Sequence, residues 1–314
     1  MNIKVEGGHE KADVAVVIPT HERPELLKRS MMSVLNQTLL PSEIIVADDT
    51  GSLLTQDVVE TFSQDYPSVD IIFLSNSSSG ASSSRNLGAQ FARSSYVAFL
   101  DDDDIWLPNK LEEQMSMLEK QNLDAVFSQL IVRYEGLGIE YVTKTSNVEN
   151  PLKSICTENY LGATISCLVC KRLFLELGGF DVSFQAREEY DLWIRIICFN
   201  AKIGVVEKPL AISHRSFERK RISSELVRYE QGVDLLNRKH RDLVDRCLTK
   251  KERSQRSSKQ FDFLAAQAVS IGKRLGSAKY YYSSFITTPK FRTLVLMLLS
   301  VSSPLFLIKL RSRM

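Results

Sequence analysis

Within the first hundred residues, short β-branched apolar runs alternate with stretches whose apolar residues recur at helical spacing, and few folds accept that order. Val14 to Ile18 is an apolar run closed by Pro19. A helix with Pro24 in its first turn is expected to run towards Leu35, carrying Leu26, Leu27, Met31 and Leu35. The pattern then repeats. Ile44-Ile45-Val46-Ala47 predicts a strand, Leu54, Val58, Val59 and Phe62 a helix, and Ile71 to Leu74 a strand. Tyr96 to Leu100 gives a further strand after a short helix around Leu87 and Phe91. Such alternation predicts an α/β fold with a mainly parallel sheet covered on both faces, whose ligands bind at the carboxyl ends of its strands.

Three polar segments fall at those ends. Asp48-Asp49-Thr50-Gly51-Ser52 follows the second strand, the serine-rich stretch Ser75 to Asn86 follows the third, and Asp101-Asp102-Asp103-Asp104 follows the fourth. Taken singly they read as a turn, a linker and a solvated face. A linker does not usually separate a buried strand from a helix inside one repeating unit, so their shared placement favours function. Four adjacent carboxylates repel and raise one another's pKa, whereas a divalent cation carrying phosphate oxygens would turn the same cluster into a site.

The remaining bulk features exclude little. A net charge of +2 over 314 residues gives no sign of nucleic acid as a partner. Met1 to Asp13 is polar and lacks the apolar region of a secretory signal, so a cytoplasmic location is expected. Five scattered cysteines fit a reducing compartment. Cys167 and Cys170 form a CxxC, but Thr164 to Cys170 reads as a strand, on which residues three apart point to opposite faces. No second CxxC or histidine pair follows.

Several ordered motifs together carry a resemblance. They are Val16 to Pro24, Ser33 to Thr38, Glu43 to Asp49, Gly80 with Ser84-Arg85-Asn86-Leu87-Gly88, Phe99 to Trp106, and Gly178-Gly179-Phe180-Asp181. The chain resembles the family 2 glycosyltransferases, inverting enzymes of the GT-A fold, over roughly Val14 to His214. That implies a Rossmann-like mixed, mainly parallel sheet flanked by helices over residues 1–222. It also implies a nucleotide-diphosphate sugar donor, most often a UDP-sugar. The acceptor would be a hydroxyl of a glycan or lipid-linked saccharide in polysaccharide or glycoconjugate assembly.

The resemblance distributes roles among the residues. Asp49, with Asp48 beside it, would hold the nucleobase, while Pro19, Thr20 and Glu22 would border the base and ribose. Arg85 would approach the diphosphate or hold the corner together; a structural ion pair with Asp48 is the other reading. Asp101 to Asp104 resembles the family's DxD motif. Asp103 is expected to bind Mg²⁺ or Mn²⁺ directly, and Asp101 to contact ribose or metal-bound water. Asp102 is a further nucleotide-side candidate that points elsewhere on an extended segment, and Asp104 would cap or open the next segment. His214 is the third metal candidate, with Arg215, Arg219, Lys220 and Arg221 as basic company.

The acceptor's base would come from Arg187 to Arg195, where the family usually has Glu-Asp and this chain has Glu188-Glu189. Helical spacing puts Glu189 on the inward face, over Trp193 and Ile196, and lets Asp191 pair outward with Arg195. Glu189 is therefore the expected base and Asp191 the runner-up. A carboxylate one methylene longer must still lie within reach of its proton, so a non-catalytic scaffold is the alternative. A sugar-1-phosphate nucleotidyltransferase would want a glycine-rich loop where Pro19 to Pro24 stands.

After about Ser223 the texture changes. Leu226 to Leu248 is strongly charged, while Phe261 to Tyr282 carries Phe263, Leu264, Ala268 and Ile271 at near-helical spacing, so a helical appendage over 223–314 is expected. Thr293 to Ile308 lacks charge, has basic flanks and is interrupted by Pro304. It is expected to anchor at a membrane surface over 293–310, or to pack on its own protein or a dimer partner.

Overall fold

The computed structural model describes residues 11–78, 80–215 and 226–311. In chain order the elements are β1 (Lys11–Thr20), α1 (Pro24–Leu35), β2 (Leu40–Asp48), α2 (Leu53–Asp65), β3 (Asp70–Ser75), α3 (Ala81–Phe91), β4 (Tyr96–Phe99) and β5 (Ile105–Trp106). Then come α4 (Lys110–Gln121), β6 (Ala125–Tyr134), β7 (Ile139–Val142), α5 (Pro151–Thr157), β8 (Leu168–Cys170), α6 (Lys171–Glu176), α7 (Glu188–Cys198) and β9 (Ile203–Arg215). The last helices are α8 (Leu226–Lys239), α9 (Arg241–Cys247), α10 (Lys250–Ser270), α11 (Arg274–Thr287), α12 (Phe291–Ser302) and α13 (Pro304–Arg311).

The chain divides into two compact units. The first comprises Met1–Leu130, Ala163–Gly179 and Ala201–Ser213. Its strands follow the order β3-β2-β1-β4-β8-β6-β9-β5. β1 to β4 are mutually parallel, whereas β8 runs antiparallel to β4 and β6, and β5 antiparallel to β9. Parallel strands buried on both faces need near-continuous apolar sequence, which Val14 to Ile18 and Ile44 to Ala47 supply at 0% exposure. Leu27, Met31 and Val34 of α1 and Leu111, Met115 and Leu118 of α4 join the same core. Each such side chain contributes about 1.5–3 kcal/mol by leaving water.

The first strand does not stop at Pro19 as the sequence suggested. β4 leaves β1 after the Val17–Phe99 pair, but β2 continues beside it, with Pro19 opposite Ala47 and Thr20 opposite Asp48. Thr164 to Cys170 is likewise not one strand. A 3₁₀ turn at Thr164–Ser166 precedes the three residues of β8, and burial holds the Cys167 thiol well above its usual pKa.

The second unit comprises Ile131–Gly162, Phe180–Asn200 and His214–Met314. β7 pairs with the last residues of β6, Ile131 to Tyr134. The expected boundary at residue 222 falls within the undescribed stretch 216–225, and the helices from α8 onward cluster with residues 131–162 and 180–200. The Tyr190 hydroxyl on α7 donates to the Ile155 carbonyl at 2.6 Å and accepts from Arg256 of α10 at 3.2 Å. Each expected long helix is two: α8 and α9 meet at His240, and α10 ends at Ile271 before α11 begins. The terminal apolar segment also breaks at Pro304, and Leu296, Leu307 and Ile308 pack with Ala265, Val269 and Tyr281. Among the described residues no helix is long and apolar enough to cross a membrane.

Candidate active site

In the first unit the parallel register brings the ends of β1 and β2 side by side, and the acidic turn follows β4 at the same edge. The turn is held from below by α1. Ser30 Oγ lies 2.8 Å from the Asp102 carbonyl and 2.7 Å from that of Asp104, and Arg29 donates to the Asp103 carbonyl. The Trp106 amide donates to Ser33 Oγ at 3.0 Å, fixing the exit from the turn.

The four aspartates then part company. Asp101 accepts a 2.6 Å hydrogen bond from Arg85 Nη2 and keeps 34% of its side chain exposed. Asp102 is buried and accepts from Thr20 Oγ1 at 2.8 Å and Arg23 Nη1 at 3.2 Å. Burial pushes its carboxyl up to about 6, with Arg23 and Thr20 opposing and Asp103 and Asp101 reinforcing the rise. Asp103 is 16% exposed, with Oδ2 3.7 Å from Arg23 Nη1. Asp104 is buried, its amide donating to the Asp101 carbonyl at 3.1 Å. It directly precedes β5 (Ile105–Trp106), the segment it was expected to cap or open, and α4 starts later, at Lys110.

The nucleobase candidates sit at the end of β2. Asp48 is fully buried and folds back on its own turn, accepting from the Thr50 amide at 2.6 Å and the Gly51 amide at 2.9 Å. Burial would raise its pKa, but these donors and Thr55 hold it below the carboxylate range. The expected alternative of an Arg85–Asp48 pair is thus replaced by Arg85–Asp101, because Asp48 is turned into its own loop. Asp49 accepts from the Gly80 amide at 2.8 Å and lies 2.6 Å from His21 Nδ1. Gly80 adopts φ 107 at the start of α3, a conformation in which a side chain is strained, so this glycine lets the serine-rich loop reach Asp49. Pro19 and Thr20 end β1, and Glu22 is exposed with φ 51.

The second unit carries the base candidates. Glu189 accepts from Asn159 Nδ2 at 3.2 Å. Asn159 is itself fixed by a tight turn: Nδ2 also donates to the Gly162 carbonyl at 3.1 Å, and Oδ1 accepts the Gly162 amide at 3.0 Å. Trp193 Nε1 donates to the same Gly162 carbonyl at 2.9 Å. Asp191 does not point outward. It is 0% exposed, and besides Arg195 at 2.8 Å it meets Lys239 Nζ at 2.9 Å and His240 Nε2 at 2.8 Å. Burial would raise its pKa, but His240, Arg195 and Lys239 outweigh it and hold the carboxyl low. All of its side chain is thus enclosed by Arg195, Lys239 and His240. His214 is buried near the end of β9 and Arg215 half-buried beside it; Arg219, Lys220 and Arg221 lie outside the described residues.

The metal candidates form no protein-only cage. Among the described residues, no group of three or more His, Cys, Asp or Glu could hold an ion. The oxygens of Asp101 and Asp103 still suit a hard cation that takes one or two carboxylates and completes its shell from substrate phosphates.

Arg23 and Asn159 had no role expected from the sequence, and His21 meets Asp49 rather than serving as a metal-ligand candidate. Arg23 had a signal, a lone guanidinium in the strand-end segment facing an acidic block; Asn159 had none, since its link to Glu189 spans thirty residues.

The profile of glycosyl transferase family 2 matches residues 15–172. The chain belongs to this family. An uncharacterised glycosyltransferase of Haemophilus influenzae is 22% identical over 305 residues, covering 95% of this chain and 98% of its own. The Escherichia coli enzyme WfgD, a UDP-Glc:α-D-GlcNAc-diphosphoundecaprenol β-1,3-glucosyltransferase, is 31% identical over 59% of this chain and 69% of its own. Among solved structures, Staphylococcus aureus TarS with UDP-GlcNAc aligns with TM-score 0.57 at 16% identity, covering 96% of this chain and 91% of that one. A Pyrobaculum calidifontis mannosyltransferase with GDP-Man and Mn²⁺ gives 0.53 at 12% identity, covering 99% and 91%. These structures share the GT-A fold of this glycosyltransferase.

Proposed function

We propose that this glycosyltransferase moves a sugar from a nucleoside-diphosphate donor, UDP-linked as for WfgD, to a hydroxyl of a lipid-linked saccharide, inverting the anomeric centre. The acidic turn carries the reading: of its four carboxylates, Asp101 and Asp103 alone keep appreciable exposure, beside strand ends that offer Asp49 and Thr20. Asp49 would accept from the base, and the backbone at Pro19 and Thr20, with Glu22 beyond, would border it. Arg85, spent in part on Asp101, would orient that carboxylate towards ribose. Asp103 would hold Mn²⁺ or Mg²⁺, which when bound would neutralise charge on the departing diphosphate. His214 would be the protein's other ligand.

Glu189 would take the proton of the acceptor hydroxyl as its oxygen attacks the anomeric carbon, with Asn159 fixing the carboxylate. Asp191 is set aside as a base by its burial. A lipid-linked acceptor would put the protein at the cytoplasmic face of a membrane, as a peripheral enzyme.

The test is a panel of UDP-, GDP- and TDP-sugars with Mn²⁺ and an undecaprenyl-diphosphate-linked saccharide, followed by mass. Transfer from one donor, donor binding lost in Asp103→Ala, and transfer but not donor binding lost in Glu189→Gln are expected. Absence of metal-dependent binding to every donor would sink the reading.

A further inference from the structure

Helices α11 and α12 pack on each other, and each turns a narrow, small-residue-rich stripe inward: Ser277, Tyr281 and Ser284 on one, Thr293, Leu296 and Ser300 on the other. What stays outside is apolar. Leu275, Tyr282 and Ile286 share one face of α11 and are 79%, 55% and 59% exposed. On α12, Phe291, Leu298 and Val301 are 81%, 62% and 41% exposed. Single exposed apolar residues are ordinary, but two such runs on neighbouring helices mark an interaction surface.

Along this stretch of the chain the charge is one-sided, and the acids nearest α11, Glu230 and Asp234, lie on the side of Tyr280. After Asp262 the chain has no Asp or Glu and eight Lys or Arg, so the total of +2 leaves −6 on the preceding residues. Lys279 sits within the Leu275–Tyr282 stripe, and Lys273, Arg274, Lys290 and Arg292 flank the helix ends, all exposed.

We propose that the α11–α12 pair is a membrane-docking face that lies flat on anionic lipid. Its apolar side chains enter the headgroup–acyl boundary while its cations meet lipid phosphates. A second copy docking through the same face is the poorer occupant, because it would set these cations against their own counterparts. Spanning is excluded by length: the twelve residues of α12 reach about 18 Å, against a hydrocarbon core of about 30 Å. The surface therefore extends upstream of the terminal apolar segment, much of which packs inward. The proposal deepens the reading of a lipid-linked acceptor, but its test does not depend on catalysis.

The full-length protein is floated with phosphatidylcholine vesicles, with and without phosphatidylglycerol, at low and high salt. Binding to anionic vesicles, weakened by salt and small on neutral ones, is expected. Replacing Lys279, Lys290 and Arg292 by Gln should lower partitioning about 100-fold, roughly five-fold per charge. Leu275→Ser and Ile286→Ser should each lower it about ten-fold. Transfer to a water-soluble acceptor, measured on the same samples, should be unchanged by these exposed substitutions. Absence of transfer in the unsubstituted protein, with its vesicle binding intact, would count against the activity reading alone. Equal binding to both vesicle types, no binding to either, or a concentration-dependent dimer dispersed by Leu275→Ser would overturn the docking face.

Discussion

Glu189, the proposed base, is one methylene longer than the aspartate that the resemblance leads one to expect, and a longer carboxylate has more rotamers to lose before it could take a proton. Asn159 removes that freedom, since both ends of its amide are engaged and the Gly162 carbonyl it meets is fixed again by Trp193. Asn159→Ala is therefore expected to lower kcat about ten-fold, the worth of one hydrogen bond to a charged group. Donor KM should be unchanged; steady-state kinetics would instead show a raised donor KM at unchanged kcat if Asn159 served donor binding. Asp191 calls for a stability measurement. Its folded pKa is depressed, so its contribution is present above the unfolded value near 3.9 and lost as pH falls through the lower folded value. Asp191→Asn should cost about 3 kcal/mol at pH 7, because Arg195 and His240 lose the carboxylate between them while Lys239 keeps Asp181. The difference should shrink at pH 3, as urea denaturation at both pH values would show.

At the scale of elements, α3 decides how the serine-rich loop reaches the strand ends, and Gly88 decides how closely α3 lies on the sheet. A Cβ at Gly88 would stand 2.4 Å from Val17 Cγ1, inside the core of β1. Val17 is fully buried and branched at Cβ, so it cannot swing aside. Gly88→Ala is expected to destabilise the protein by about 1–3 kcal/mol, as overpacking does. It should also weaken donor binding, by displacing Gly80 from Asp49 and Arg85 from Asp101; isothermal titration with UDP checks the second effect. The order of these elements was legible because periods of two and 3.6 residues are local properties. Their ends were less so, since β1 passes Pro19 only because β2 continues beside it.

On the scale of the whole molecule, the second unit is assembled from three separate stretches of chain, and the late helices complete it. Lys239 and His240 satisfy Asp191, and Arg256 reaches both Tyr190 and the Cys156 carbonyl. A chain ending at residue 222 should therefore aggregate or melt without a cooperative transition, by size exclusion and calorimetry, although every motif of the family lies before that point. A soluble, cooperatively melting fragment would show the appendage to be separable. The sequence alone determined that strands and helices alternate and that carboxylates collect at the strands' carboxyl ends, because apolar periodicity and turn chemistry are written in neighbouring residues. It could also say that Glu189 and Asp191 lie on different faces of one helix. Only the tertiary structure decided which of those faces is enclosed, turning Asp191 inward onto Lys239 and His240 and giving Glu189 to Asn159, and which aspartate each arginine occupies. Burial and ion pairing are set by elements far apart in the chain, and no local spacing records what will pack against a given face.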